Sequence, residues 1–162
     1  MEVITTHQHA DFDGMASMIA AKKLYPDAVL VFSGSQERSV RDFFLQSTAF
    51  LYEFQRLKNI PLEQVQRLIL VDTQTPGRIG KLARCLENPG IEVHIYDHHP
   101  KAAGDLTGQK EVIRRVGSTI TILTAILRER NIPISAQEAT VFGLAIYEDT
   151  GSFTFDTTTP ED

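Results

Sequence analysis

Ile91-Glu92-Val93-His94-Ile95-Tyr96-Asp97-His98-His99 decides the fold: an apolar alternation of strand type runs straight into an acid and two imidazoles. Three other stretches follow the same plan. Val3-Ile4-Thr5-Thr6 leads into His7-Gln8-His9-Ala10-Asp11-Phe12-Asp13, Leu68-Ile69-Leu70-Val71 into Asp72, and Gly143-Leu144-Ala145-Ile146-Tyr147 into Glu148-Asp149. If such segments lie side by side in one sheet, their polar tips converge in one crevice. Several carboxylates with few Lys or Arg beside them would repel one another there. Divalent cations are the simplest remedy.

Outward from these tips, strand-like and helix-like segments alternate. Strands are expected at Val3–Thr6, Ala28–Phe32, Leu68–Val71, Ile91–Tyr96 and Val112–Val116. Helical spacing marks 14–24 (Met15, Met18, Ile19, Leu24), 37–54 (Val40, Phe43, Phe44, Ser47, Leu51, with Ser35 as N-cap), 78–86, 118–129 and 135–147. The last opens on Ser135-Ala136-Gln137-Glu138, a capping-box pattern, and overlaps the apolar run before Asp149. This alternation predicts an α/β fold: a three-layer, Rossmann-like domain with a central, mainly parallel five-stranded sheet and helices on both faces. Such a sheet binds ligands at the carboxyl ends of its strands, where His7, Asp72 and Asp97 stand.

The chain has 162 residues, about one ordinary domain. No Pro- or Gly/Ser-rich linker, low-complexity run or internal repeat divides it, so residues 1–162 are read as one domain. Its 42% apolar and 23% charged residues are those of a soluble globular protein. No apolar run approaches the roughly 18 residues that a membrane span requires. Met1-Glu2-Val3 carries an acid where a secretory signal has bases, so a cytoplasmic location is expected. Cys85, the lone cysteine, falls beside Leu82 and Leu86 and reads as a structural thiol. A net charge of −5 argues against long duplex nucleic acid as partner. Nucleotides and short single-stranded RNA or DNA remain open, particularly where metals supply positive charge.

Each acid has a plainer reading when taken alone. Asp13 could cap the helix that starts at Gly14, Asp11 could be a turn residue and His7 a packed histidine. Asp72-Thr73 and Asp149-Thr150-Gly151 could be ordinary turns. The coincidence is what counts: all five histidines, at 7, 9, 94, 98 and 99, fall in two short windows, and four of them flank these acids. His94 alternates with Val93 and Ile95 and is expected in the core. Gly117-Ser118-Thr119 stands at a helix start, where backbone N–H groups could take phosphate, although Ser118 as a simple N-cap is the plainer account. Phe153 and Phe155 alternate with Ser152 and Thr154 as in a half-buried strand, or could stack bases.

Together the His7-x-x-x-Asp11-x-Asp13 loop, strand-borne Asp72, the Asp97-His98-His99 triplet and Asp149 in Tyr147-Glu148-Asp149-Thr150-Gly151 resemble, in order, the four motifs of the DHH phosphoesterase superfamily. That superfamily includes single-strand exonucleases, oligoribonucleases, cyclic-dinucleotide phosphodiesterases and family II inorganic pyrophosphatases. Glu148 to Phe155 with Thr157-Thr158-Thr159-Pro160 is similar to the version fused to CBS and nucleotidyltransferase modules in poly(A) polymerase or tRNA nucleotidyltransferase-like proteins. The resemblance implies two divalent cations, Mn²⁺ favoured and Mg²⁺ possible. His7 and Asp11 would hold one, Asp13, His98 and Asp149 the other, and Asp72 would bridge them. Asp97 would support or ligate. His99 would contact the scissile phosphate, with Ser118 and Thr119 as further phosphate contacts. Catalysis would then rest on Asp72 and His99.

Two departures stand out. The family's first loop commonly carries Asn-Pro before the first acid and Gly between the two, where this chain has His9-Ala10 and Phe12. His9 is therefore a candidate supplementary ligand. Family enzymes also carry a second, substrate-gripping domain, whereas the chain ends at Pro160-Glu161-Asp162, so a fragment of a longer protein with further domains is expected. The implied function is hydrolysis of phosphate esters of nucleotides or short single strands by a water activated between two metals. The alternatives are a non-catalytic nucleotide-sensing or RNA-positioning module, and an inorganic pyrophosphatase.

Overall fold

Strand residues of alternating parity feed two separate cores, and that parity builds the layers. In the computed structural model, which describes residues 1–43 and 52–162, one parallel sheet contains β1 (Glu2–Thr5), β2 (Val29–Val31), β3 (Phe54–Gln55), β4 (Arg67–Val71), β5 (Glu92–Asp97) and β6 (Lys110–Ile113). The order is β3-β2-β1-β4-β5-β6. Ile4, Leu30, Ile69, Val71 and Tyr96 face one core; Val3, Val31, Leu68, Leu70 and Ile95 face the other.

The first core is roofed by α1 (Phe12–Leu24), α2 (Arg38–Phe43), α3 (Thr119–Glu129) and α4 (Ala136–Asp149). Every residue of α1 from Asp13 to Ala21 is buried, because the helix packs against the sheet and also against α3 and α4. Its small residues Gly14, Ala16, Ser17, Ala20 and Ala21 permit that enclosure. The second core is closed by 3-10 turns at Leu57–Asn59, Leu62–Gln64 and Pro76–Glu87, not by an α-helix as the sequence suggested. Gly80 breaks the last of these with φ 54°. A Cβ there would stand 2.9 Å from the Ser33 carbonyl oxygen, so the kink requires glycine.

The α/β class with a parallel sheet agrees with the sequence reading, but a sixth strand joins the expected five. Phe54–Gln55, whose first residue periodicity placed at the end of a helix over 37–54, pairs in parallel with β2. A two-residue edge strand is too short to leave a period-2 signal. Phe44, Ser47 and Leu51 of that expected helix lie outside the described residues. Ser35 does not cap α2; its hydroxyl bonds His9 Nδ1 at 2.8 Å. Gly143–Tyr147 belongs to α4, so Asp149 arrives on a helix end. Phe153 and Phe155 sit in turns after α4, with Ser152 and Phe153 at φ 59° and 64°, not in a strand. Among the described residues, no helix is long and apolar enough to cross a membrane.

Glu138 fastens α4 to the rest. It completes the capping box with Ser135, accepts from Lys23 Nζ of α1 at 2.7 Å and from the Tyr52 hydroxyl, and is 5% exposed. Burial would raise its pKa, yet Lys23, Tyr52 and Ser135 outweigh burial and hold it down to about 2, against an ordinary 4.5. A folded-state pKa below the unfolded value gives stability that is complete above the unfolded pKa and lost as pH falls through the folded one. Glu138→Gln is expected to cost about 1–3 kcal/mol at neutral pH in urea unfolding. That deficit should shrink below about pH 4.5 and vanish near pH 2; a deficit constant across this range would refute the assignment.

Candidate metal centre

The direction in which strands are added to the sheet reverses between β1 and β4: β1 leads outward to β2 and β3, while β4 returns to β1's other side and leads to β5 and β6. A crevice opens at such a switch point, beyond the carboxyl ends of the strands. His7, Asp11 and Asp13 leave β1 there, Asp72 leaves β4, Asp97 ends β5 with His98 and His99 behind it, and Asp149 closes α4. Three groups of donor atoms, each mutually within 4.8 Å, result: His7, Asp11 and Asp72; Asp13, His98 and Asp149; and Asp72, Asp97, His98 and His99. Sharing Asp72 and His98 makes them one cluster.

Backbone carbonyls orient two of the imidazoles. His7 Nδ1 lies 2.8 Å from the Gln8 carbonyl oxygen and His98 Nδ1 lies 3.1 Å from that of Val116. With the Nδ1 proton given to a carbonyl, each ring turns Nε2 toward carboxylates: His7 toward Asp72 at 3.2 Å and Asp11 at 3.6 Å, His98 toward Asp149 at 3.3 Å and Asp72 at 3.6 Å. A neutral Nε2 lone pair facing carboxylate oxygens needs a proton or a cation between them. His99 is arranged differently. Its Nδ1 and backbone N–H both bond Asp97 Oδ1, at 2.7 and 3.1 Å, which leaves Nε2 for the crevice on a side chain 48% exposed.

Supporting contacts hold three of the carboxylates in place. Asp13, 1% exposed, accepts the Thr119 and Ile120 amides of α3 at 2.7 and 2.8 Å. Asp11 caps α1 through the Gly14 amide at 2.9 Å. Thr119 Oγ1 donates to Asp72 Oδ1 at 3.1 Å. Asp72 itself holds φ 56°, a left-handed backbone seldom adopted outside glycine and concentrated at functional sites. Asp97 Oδ2 and Asp149 Oδ2 are buried without a hydrogen-bond partner.

Charge crowding shows in the titration of these groups. Burial, then the Asp72 and Asp149 carboxylates, push Asp13 well above its ordinary range despite the two amides. Burial, Asp72 and Asp11 raise Asp149 to about 7. Burial would lower His7, but Asp11 and Asp72 outweigh it and raise the ring to about 10. The hydrogen bond that His99 donates to the Asp97 carboxylate raises its pKa. Orphaned carboxylate oxygens, imidazole Nε2 atoms aimed at acids and the lack of sulfur ligands fit Mn²⁺ or Mg²⁺.

The structure therefore brings together His7, Asp11, Asp13, Asp72, Asp97, His98 and Asp149, with Asp97 bound to His99. His9 stays outside the donor groups: it is exposed and bonded to Ser35. His94 lies in the core, bonded to the Tyr25 hydroxyl and Glu92. Ser118 and Thr119 are fully buried, Ser118 is bonded to Thr121, and the α3 amides expected to meet phosphate are taken by Asp13. Asp162 was missed by the sequence reading. Its carboxylate accepts from the Gly117 amide and Thr121 hydroxyl and so steadies the start of α3. The orienting carbonyls of Gln8 and Val116 leave no trace in residue type.

Acids and imidazoles gathered at the switch point of a parallel sheet define an α/β domain with a candidate two-ion centre. The chain belongs to the DHH family: the model described as "DHH family, N-terminal domain" matches residues 2–146. It is 54% identical, over all of its length, to an A-adding tRNA nucleotidyltransferase of Geobacter sulfurreducens, and 31% identical over 99% of its length to one of Aquifex aeolicus. It spans only 18% of the length of each. Two solved structures share the fold with TM-scores of 0.77: an exopolyphosphatase-related protein from Bacteroides fragilis (15% identical; 99% of this chain, 49% of that one) and a Methanococcus jannaschii putative family II inorganic pyrophosphatase (22% identical; 99% and 52%).

Titration with Mn²⁺ is expected to raise the melting temperature, the stabilisation reaching about 2.7 kcal/mol at one hundred times Kd and reversing with EDTA. Asp72→Asn, which keeps a residue tolerant of the left-handed backbone, should abolish the shift. An unchanged melting curve in saturating Mn²⁺ would remove the case for a cation centre.

Proposed function

We propose that this chain is a two-cation phosphoesterase module that hydrolyses phosphate esters of nucleotides or short single-stranded oligonucleotides. We also propose that it serves within a longer RNA-processing polypeptide of the A-adding tRNA nucleotidyltransferase kind. One observation carries the reading: two groups of ligands, His7/Asp11/Asp72 and Asp13/His98/Asp149, stand side by side and are joined through Asp72 and His98. The 54% identity to an A-adding tRNA nucleotidyltransferase supports the RNA context.

In this assignment Asp72 serves both ions, His7 and Asp11 complete one site, and Asp13, His98 and Asp149 the other. When bound, such a pair of ions lowers the pKa of a shared water and neutralises phosphoryl oxygens. Mn²⁺ is favoured over Mg²⁺ because imidazole nitrogens enter the ligand set. The chain's own residues supply the rest. Asp97 holds His99 with Nδ1–H donated to its carboxylate, so a protonated His99 presents Nε2–H to a phosphoryl or leaving oxygen. Thr119 fixes Asp72 from behind, and the α3 amides fix Asp13. Thr119, buried as it is, acts here through Asp13 and Asp72, and Ser118 through its bond to Thr121 at the start of α3.

Two other readings have separate outcomes. The family likeness covers under a fifth of each relative, so a module that only positions RNA is the competitor. Pyrophosphate hydrolysis is the other, with a fold relative described in those terms. With Mn²⁺, the protein is expected to turn over bis-p-nitrophenyl phosphate and short RNA in preference to pyrophosphate. Asp72→Asn should lower kcat by about a hundredfold or more. Nucleotide binding without turnover of any ester would establish the positioning module instead, and preferential release of phosphate from pyrophosphate would establish the third reading.

A further inference from the structure

Arg115 and Asp156 are opposite charges that share one cavity without pairing. The cavity, of about 420 Å³, is bounded by His98 and His99 of the candidate metal centre and also by Arg115, Asp156, Thr157 and Thr159. Among the described residues, the side chains of Arg115, Asp156 and Thr157 have no ion-pair or hydrogen-bond partner, and all three residues are exposed. Their neighbours are engaged: Arg114 pairs with Glu161, and Thr159 donates its amide and its hydroxyl to Asp162.

Both charges are carried on backbone that is fixed relative to the candidate metal ligands. Arg115 precedes Val116, whose carbonyl oxygen orients His98. Asp156 follows α4 through a turn that folds back on the residue after Asp149: the Thr154 and Phe155 amides both donate to the Thr150 carbonyl oxygen, at 3.0 and 3.1 Å. The Phe155 ring lies on Gly151, where φ is 56° and a Cβ would collide with the ring. A side chain at 151 would displace this turn and Asp156 with it.

Such a pair of charges selects by what it repels. Arg115 disfavours a cation in the cavity and Asp156 disfavours a second phosphate, so an inorganic polyanion gains one contact and is opposed by the other. The complement is a ligand that joins a phosphate to neutral hydroxyl donors in one unit. A ribonucleotide has that form, since a carboxylate accepts both hydroxyls of its sugar but only one from a deoxyribose. The volume lies within the range of small-ligand pockets.

We propose that this cavity is a ribose-reading subsite beside the metal centre, which narrows the substrate class from nucleotides to ribonucleotides. Asp156 accepts the 2′- and 3′-hydroxyls with help from the Thr157 hydroxyl, and Arg115 offers its guanidinium to the phosphate that His99 contacts. The place of the phosphate rests on the phosphoesterase reading; discrimination between sugars by Asp156 is a separate claim.

Calorimetric titration of the Mn²⁺-loaded protein with AMP and with 2′-deoxy-AMP reads the sugar directly. AMP is expected to bind roughly ten- to hundredfold more tightly, the worth of one hydrogen bond to a charged group. Asp156→Ala should bring the two Kd values within about threefold of each other by weakening AMP. Arg115→Gln should weaken both nucleotides alike and keep their ratio. Pyrophosphate, which has no hydroxyl to offer, should bind Asp156→Ala no more weakly than the wild type. A retained Mn²⁺-induced melting shift in each variant shows that the fold and centre are intact. Equal affinity of the wild type for the two nucleotides, a ratio that Asp156→Ala leaves unchanged, or an equal loss of pyrophosphate binding would overturn the subsite. Ester turnover without any preference between the sugars would defeat the subsite and leave the hydrolytic reading standing; sugar-selective, Asp156-dependent binding in a protein that hydrolyses no ester would do the reverse.

Discussion

Mutual repulsion of carboxylates at one edge of a rigid sheet is the constraint on which the rest of this protein turns. Asp11, Asp13, Asp72, Asp97 and Asp149 share one crevice, and three of them are almost wholly buried. Two unit charges 4 Å apart at an effective dielectric of 20 repel by about 4 kcal/mol, so such a cluster cannot stand fully ionised without compensation. The strands are hydrogen-bonded in register and cannot spread to relieve it. Protons do part of the work, as the upward shifts of His7, Asp13 and Asp149 record. A divalent ion would do the same work better, since one ion supplies two charges and could be held by oxygens that otherwise lack partners.

That constraint explains which backbone features are given to the site. The start of α3 is a favourable place for an anion, and in this protein the anion is Asp13. One contact thereby ties the beginning of α1 to the beginning of α3, while Asp162 holds the preceding Gly117. Under the proposed function, a substrate phosphate would be met by groups around the crevice: His99 on one side, with Arg115 lining the same cavity of about 420 Å³, and Arg78 on the other.

Much of this was legible in the sequence, for a physical reason. Buried parallel strands read as short apolar runs, and metal-ligand residue types are scarce enough that five histidines in two windows stand out. Hence Asp72, Asp97 and His98 could be placed at strand ends before any coordinates. What escaped notice was carried by backbone or by very short elements. β3 has two residues; the second face is covered by 3-10 turns without a 3.6-residue period; the imidazoles are aimed by carbonyls. Asp149 was reached by a run that reads as strand or helix alike, and only packing of Ala145 and Phe142 on α1's side of the sheet decides for the helix. Ser118 and Thr119 show the converse error. Their residue types suit a phosphate loop, but the partner that claims the amides lies more than a hundred residues away.

The position between the two acids of the first loop links the centre to its surroundings. Where the family commonly has glycine, this chain has Phe12, which packs edge-to-face on Phe43 of α2 with ring centroids 5.2 Å apart. Its amide donates to Glu148, next to Asp149. A side chain here cannot add a ligand, but it couples the Asp11–Asp13 loop to α2 on one side and to the end of α4 on the other. The α2 side is where Val40 and Arg41 line the outer cavity. Ligand geometry and cavity shape are thus mechanically joined through one aromatic residue. Under the proposed function, residues that brace the loop in this way would let centres with the same ligands differ in what they accept.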